Sequence, residues 1–234
     1  MMKLVHRSHI QNIFAEIICE ATRGKYEEFD ERKVSEFVTL TLFAIDDAPS
    51  GRVPQTLTVD FSSDVRNQTI CLEFIYSHWS IEKLRPNALE TIHAVAYGST
   101  INSSQLRRTN FVEDFSGELK VSPTDIPSQL IGLNKFLAIS DQLRFKDLNE
   151  KCLFLAELNG RLIGIHPFQD GNGRVARFAT LLVLSRWNLP WFSTPKVRND
   201  LDWKQALDKA VKGDYGALAQ QYEMRITKQL ESPL

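Results

Sequence analysis

The stretch His166-Pro167-Phe168-Gln169-Asp170-Gly171-Asn172-Gly173-Arg174-Val175-Ala176-Arg177-Phe178-Ala179-Thr180-Leu181-Leu182-Val183-Leu184 decides how the rest of the chain is read. Its second half, Val175 to Leu184, is apolar on nearly every face, the pattern of a helix surrounded by other helices in an all-α core. Its first half packs a titratable base, a carboxylate, a Gly-Asn-Gly turn and two arginines into twelve residues. Upstream, Leu155, Leu158, Leu162 and Ile165 recur at spacings of three and four, which predicts a helix running up to His166 and stopping at Pro167. Chemistry is therefore expected where one helix ends and the buried one begins.

The turn feeds the N-terminus of the buried helix, where unsatisfied N–H groups and the positive end of the dipole favour an anion. Gly171 and Gly173 can take positive φ and let backbone approach a phosphate closely. Arg174 and Arg177, three apart in the first turn, carry planar donor forks suited to a polyphosphate. Asp170 in so positive a setting implies a bridging cation, and Mg²⁺ held by one carboxylate, phosphates and water suits it. His166 is the loop side chain that can accept a proton near neutral pH. Singly these elements are common: histidines end helices, Gly-Asn-Gly turns abound, and arginines often face solvent. Their meeting at one helix junction points to function.

Working outward, Ala88 to Tyr97 reads as a helix with Leu89, Ile92, Val95 and Ala96 on one face and Gly98 at its end. Another helix is expected through Leu130, Leu133, Phe136 and Leu137. Between them, Gly117, Pro123 and Pro127 surround Glu118-Leu119-Lys120-Val121, predicting a small hairpin or extended loop. Nearer the start, Ile10, Ile13, Phe14, Ile17 and Ile18 predict an amphipathic helix, and Val34, Phe37, Val38 and Thr41 a second, although Phe37 to Phe43 is also rich in strand formers. From Asp46 to Asp64 the clustered Asp, Ser, Pro and Gly residues predict an irregular connection.

The 234 residues carry 28 Lys and Arg against 29 Asp and Glu, so no global field draws the chain to nucleic acid or lipid, and phosphate recognition must be local. Lys83, Arg85, Arg107 and Arg108 are scattered, not a nucleic-acid stripe. His6 and His9 lack a third ligand nearby, and His78 and His93 carry no pattern. Cys19, Cys71 and Cys152 lie far apart without zinc or disulfide spacing and read as buried thiols. The first 23 residues show neither a signal-peptide core nor a cleavage site, and no apolar run is long enough to span a membrane. A cytoplasmic location is expected, while secretion by a signal-free route would leave the same sequence.

The twelve residues from His166 to Arg177 resemble the signature of the Fic family, His-Pro-Phe-x-Asp/Glu-Gly-Asn-Gly-Arg-x-x-Arg, and fill every fixed position. Similarity extends from about Asn87 to about Tyr222, including Trp203-Lys204-Gln205-Ala206-Leu207 and Gly213-Asp214-Tyr215. The resemblance implies residues 87–234 as a Fic domain, mostly α with a small β-hairpin flap. Residues 1–86 are then an N-terminal extension, helical or mixed, packed on it. It implies a protein adenylyltransferase, with ATP as substrate, Mg²⁺ as cofactor, and a target protein bearing a Ser, Thr or Tyr hydroxyl as partner. Neither nucleic acid nor membrane is expected as a partner, and a homo-oligomer is compatible with it. By position, His166 becomes the base, Asp170 the Mg²⁺ ligand, Gly171, Asn172 and Gly173 the anion hole, and Arg174 and Arg177 the ligands of the β and γ phosphates. Trp203 stands where relatives often carry an aromatic near the base, so it is a candidate adenine contact, though a core position fits equally.

Two other functions stand beside this one. A related branch of the Doc type moves the γ-phosphate, but departs from the Gly-Asn-Gly-Arg loop kept here; a non-catalytic nucleotide-binding module is the other. Many relatives also carry an inhibitory Ser/Thr-x-x-x-Glu-Gly/Asn helix whose glutamate pairs with the second arginine. Before the flap, Gly98, Asn102 and Ser103 stand at those positions, so Asn102 resembles a lost brake on Arg177. Thr227 and Glu231 match the spacing near the C-terminus, followed by Ser232, although a solvated tail explains them as well.

Overall fold

A computed structural model describes residues 7–22, 30–36, 38–39, 59–76, 83–98, 105–109, 121–194 and 200–231. The chain is mostly helical, as expected: α1 (Arg7–Thr22), α2 (Val59–Phe74), α3 (Ala88–Tyr97), α4 (Ile126–Ile139), α5 (Leu148–Ile165), α6 (Asn172–Arg186), α7 (Leu201–Val211) and α8 (Gly216–Glu231). Residues 31–36 and 38–39 are also helical. The expected hairpin, including Leu119, and the candidate regulatory residue Asn102 lie outside the described residues.

α5 is the hub, packed against α4, α6, α7 and α8. Its start is set by Asp147, whose carboxylate accepts the Glu150 N–H at 2.9 Å, while Glu150 reaches back to the Lys146 N–H. Leu155, Leu158 and Leu162 are fully buried, as their spacing predicts. Gly160 lets α7 come close, because a Cβ there would sit 2.6 Å from the Ala210 carbonyl oxygen. α6 is buried along Val175, Ala176 and Phe178 to Leu184. Its one mid-helix polar group, Thr180, donates to the Ala176 carbonyl and accepts from Asn159 Nδ2 of α5 at 2.9 Å, so nothing polar is stranded there.

The N-terminal helices join this core. Phe14 of α1 stacks on Trp191, which follows α6, at 5.5 Å, and α2 packs on both α1 and α3. α2 begins at Val59, inside the stretch that reads as an irregular connection. The difference has a physical reason. Ser and Asp residues compete with the backbone in helix interiors but suit a first turn, so Asp60, Ser62, Ser63 and Asp64 signal a helix start as well as a turn. The three cysteines are buried free thiols.

Candidate active site

α5 ends at His166, which adopts φ 50 and ψ 59 as the C-cap, with its N–H bonded to the Leu162 carbonyl at 2.9 Å. A non-glycine residue in this left-handed region is strained by about 1–2 kcal/mol. Beyond it Pro167 cannot extend the helix, and the loop returns to α6 within six residues, 166–171. Asn172 stitches that loop to itself: its Oδ1 accepts the Phe168 N–H at 2.9 Å and its Nδ2 donates to the Phe168 carbonyl at 2.8 Å. The Asn172 side chain is thus spent within the loop, leaving its backbone N–H for any anion.

Gly171, the N-cap of α6, has φ 82, and its carbonyl accepts the Arg174 and Val175 N–H groups at 2.9 Å. The N–H groups of Asn172 and Gly173, first in the helix, have no intrahelical acceptor. A Cβ at Gly173 would meet nothing within 4 Å, so no side chain crowds that residue. Asp170 is exposed, and one carboxylate oxygen accepts the Gly171 N–H at 2.6 Å. Among the described residues no group of three or more His, Cys, Asp or Glu side chains gathers as a metal site.

Beneath the loop runs a stacked column that sequence reading missed. Phe168 lies 4.1 Å from His93, His93 lies 4.5 Å from Tyr97, and the Arg174 guanidinium sits 4.7 Å over the Tyr97 ring. Arg174 then pairs with Asp64 of α2, Nη1 to Oδ1 at 2.9 Å, both side chains nearly buried. His93 donates from Nε2 to the Asp170 carbonyl at 3.0 Å, since a carbonyl only accepts. Burial holds His93 below its ordinary pKa, with the loop hydrogen bond opposing. Burial likewise pushes the Tyr97 phenol up. The i, i+4 spacing of His93 and Tyr97 on α3 was visible, but its partners are remote in sequence.

The column makes Gly171 indispensable. A Cβ there would lie 2.4 Å from the Tyr97 ring, besides forcing a side chain into positive φ. Gly171→Ala is therefore expected to destabilise the fold by roughly 2–5 kcal/mol, strain and overpacking together. Gly173→Ala, which meets open space, should leave stability within about 1 kcal/mol. Thermal melts of the two variants test this, and equal losses would contradict it.

Arg107, read from sequence as one of several scattered bases, is buried against the His166 end of α5. Gln105 and Leu106 pair with the loop through the Gln169 N–H to Gln105 carbonyl bond at 3.1 Å and a single bridge from Leu106 to Phe168. A cavity of about 450 Å³ opens beside Ile165, lined by Val121, Gln129, Gly164, Val211 and Tyr215 among others. Trp203 is not part of its lining. It is buried between α7 and α8, edge-on to Tyr222 at 5.3 Å with Arg225 over its ring, a core position. Arg177 is half-buried on the second turn of α6, and Glu231 is exposed at the end of α8.

Residues 83–184 match the model of the Fic/DOC family. Among solved structures the chain is similar to a Fic domain-containing signaling protein from Bacteroides thetaiotaomicron VPI-5482, at 17% identity and a TM-score of 0.73, over 95% of this chain and 87% of that one. It is also similar to a Fic family protein from Desulfovibrio desulfuricans G20, at 17% identity and a TM-score of 0.61, over 98% and 69% of the two chains. Fic-1 from C. elegans shares 20% identity and a TM-score of 0.64 over 92% of this chain, which spans 59% of that one. At such identities the likeness is one of fold. A search of curated proteins finds no match. No helix among the described residues is long and apolar enough to cross a membrane. With the complete signature at the helix junction, the family model over residues 83–184 and the Fic fold of these neighbours, residues 83–184 form a domain of the Fic/DOC family.

Proposed function

We propose that this protein is an adenylyltransferase that moves AMP from ATP to a Ser, Thr or Tyr hydroxyl of a target protein. The observation that carries the reading is one juxtaposition. His166 stands at the strained end of α5, six residues before a helix N-terminus whose first turn is uncrowded at Gly173. The target hydroxyl oxygen attacks the α-phosphorus of ATP and its proton passes to His166. The bond from the α-phosphorus to the bridging oxygen breaks, and pyrophosphate departs. Asn172 and Gly173 N–H groups, the α6 dipole and Arg177 meet the phosphate charge. Arg174, anchored by Asp64, completes the positive wall with the donors that Asp64 leaves over.

Asp170 fits a Mg²⁺ site of the kind built from one carboxylate plus phosphate and water oxygens. It is exposed, and one of its oxygens stays clear of the Gly171 N–H. When bound, such an ion neutralises phosphate charge. The cavity beside Ile165, about 450 Å³, falls in the size range of small-molecule pockets and suits the nucleoside. Three buried free thiols suit a reducing cytoplasm. Phosphotransfer of the Doc type is the second reading, disfavoured by the intact Gly171 to Arg174 turn. Incubating cell lysate with α-labelled ATP, wild type beside His166→Ala, tests the proposal. His166-dependent label on protein is expected; label transferred from γ-labelled ATP alone would overturn it.

A further inference from the structure

We infer that Arg107 is a positioning residue that holds His166 in its left-handed conformation, and so aims the imidazole. Arg107 is 4% exposed, and its guanidinium spends its donors on backbone carbonyls. Nε donates to the His166 carbonyl at 3.0 Å and Nη2 to the Ile165 carbonyl at 3.3 Å. Nη1 donates to Thr109 and Nη2 also to Val121. The Arg107 N–H adds a fifth bond, to the Pro167 carbonyl at 2.9 Å. One side chain thus grips three consecutive residues around the helix end, with its own backbone, and ties them to two other stretches of chain.

The acceptors explain why an arginine stands there. The last carbonyls of a helix have no intrahelical partner and carry the negative end of the dipole, so a buried cation is favoured at that point. Only a planar fork with five donors reaches carbonyls on several sides at once; a lysine, with one compact ammonium, cannot. Elsewhere a helix would end at this conformation with glycine. Here the position carries a histidine with φ 50, and a conformation of that kind persists only where the surroundings over-determine it. Arg107 supplies bonds to the carbonyls before and after the strained dihedrals.

This inference rests on reading His166 as the base, and the test separates the two. His166→Gly and His166→Ala both lack the imidazole and differ in their tolerance of positive φ. In the wild-type background the glycine variant should melt about 2–4 °C above the alanine variant. In Arg107→Lys, and in the volume-preserving Arg107→Met, His166 is released and the gap should shrink toward zero. With the histidine present, Arg107→Lys should lower kcat for AMP transfer roughly tenfold or more while KM for ATP stays within about threefold, the mark of a misaimed group. An equal glycine-over-alanine gap in all backgrounds would overturn the assignment of Arg107. That melt comparison decides it even if the wild type transfers no AMP, an outcome that would sink the base reading alone.

Discussion

His166→Ala is expected to lower AMP transfer by roughly 10²–10⁴-fold, the usual contribution of a positioned general base. Binding of ATP should change little, because the groups proposed to meet the phosphates are backbone N–H donors of α6 and the arginines. The Gly171 to Gly173 turn is held by the Asn172 side chain and by the Gly171 carbonyl. Steady-state transfer beside calorimetric ATP titration separates the two quantities. Transfer within a few-fold of wild type would remove His166 from the chemistry. Loss of ATP binding with it would make the residue part of the nucleotide site instead.

The second large effect belongs to Arg174. Its guanidinium links Asp64 of α2 to Tyr97 of α3, and removing it breaks the ion pair with the Asp64 carboxylate, 11% exposed. Breaking a buried pair by removing one member costs about 3–5 kcal/mol. Arg174→Ala should therefore lower Tm by roughly 6–20 °C for a chain of this size, and transfer should fall as well. The two losses part in the double variant. Arg174→Ala with Asp64→Ala removes both charges, so much of the stability should return while transfer stays low. Should transfer return together with stability, Arg174 would be a structural residue and the phosphate contact would rest on Arg177.

What could be read from sequence alone follows the range of the interactions. The helix period of Leu155, Leu158 and Leu162, the apolar run through Leu184, and the loop between them are local patterns, and the structure places all three as read. The loop stood out as a candidate site because a histidine, a carboxylate, two glycines and two arginines lie within twelve consecutive residues. Its support did not. Arg107 meets His166 across 59 residues of chain, His93 meets the Asp170 carbonyl across 77, and Asp64 meets Arg174 across 110. No spacing rule reaches so far, so three groups that shape the site read as ordinary surface or core residues. Asn172 shows a subtler gap. Its position in the Gly-Asn-Gly turn was evident, but folding commits its amide to Phe168, which only the hydrogen bonds reveal. For Trp203 the sequence left an adenine contact and a core position side by side, and the ring is buried against Tyr222.

The most direct measurement is the fate of the nucleotide. Purified protein, ATP, Mg²⁺ and an acceptor protein drawn from lysate are incubated, and the small-molecule products are resolved by phosphorus NMR. AMP transfer releases pyrophosphate in step with AMP bound to the acceptor, and both should vanish in His166→Ala. ADP appearing with a phosphorylated acceptor would contradict the account and assign the site to phosphotransfer.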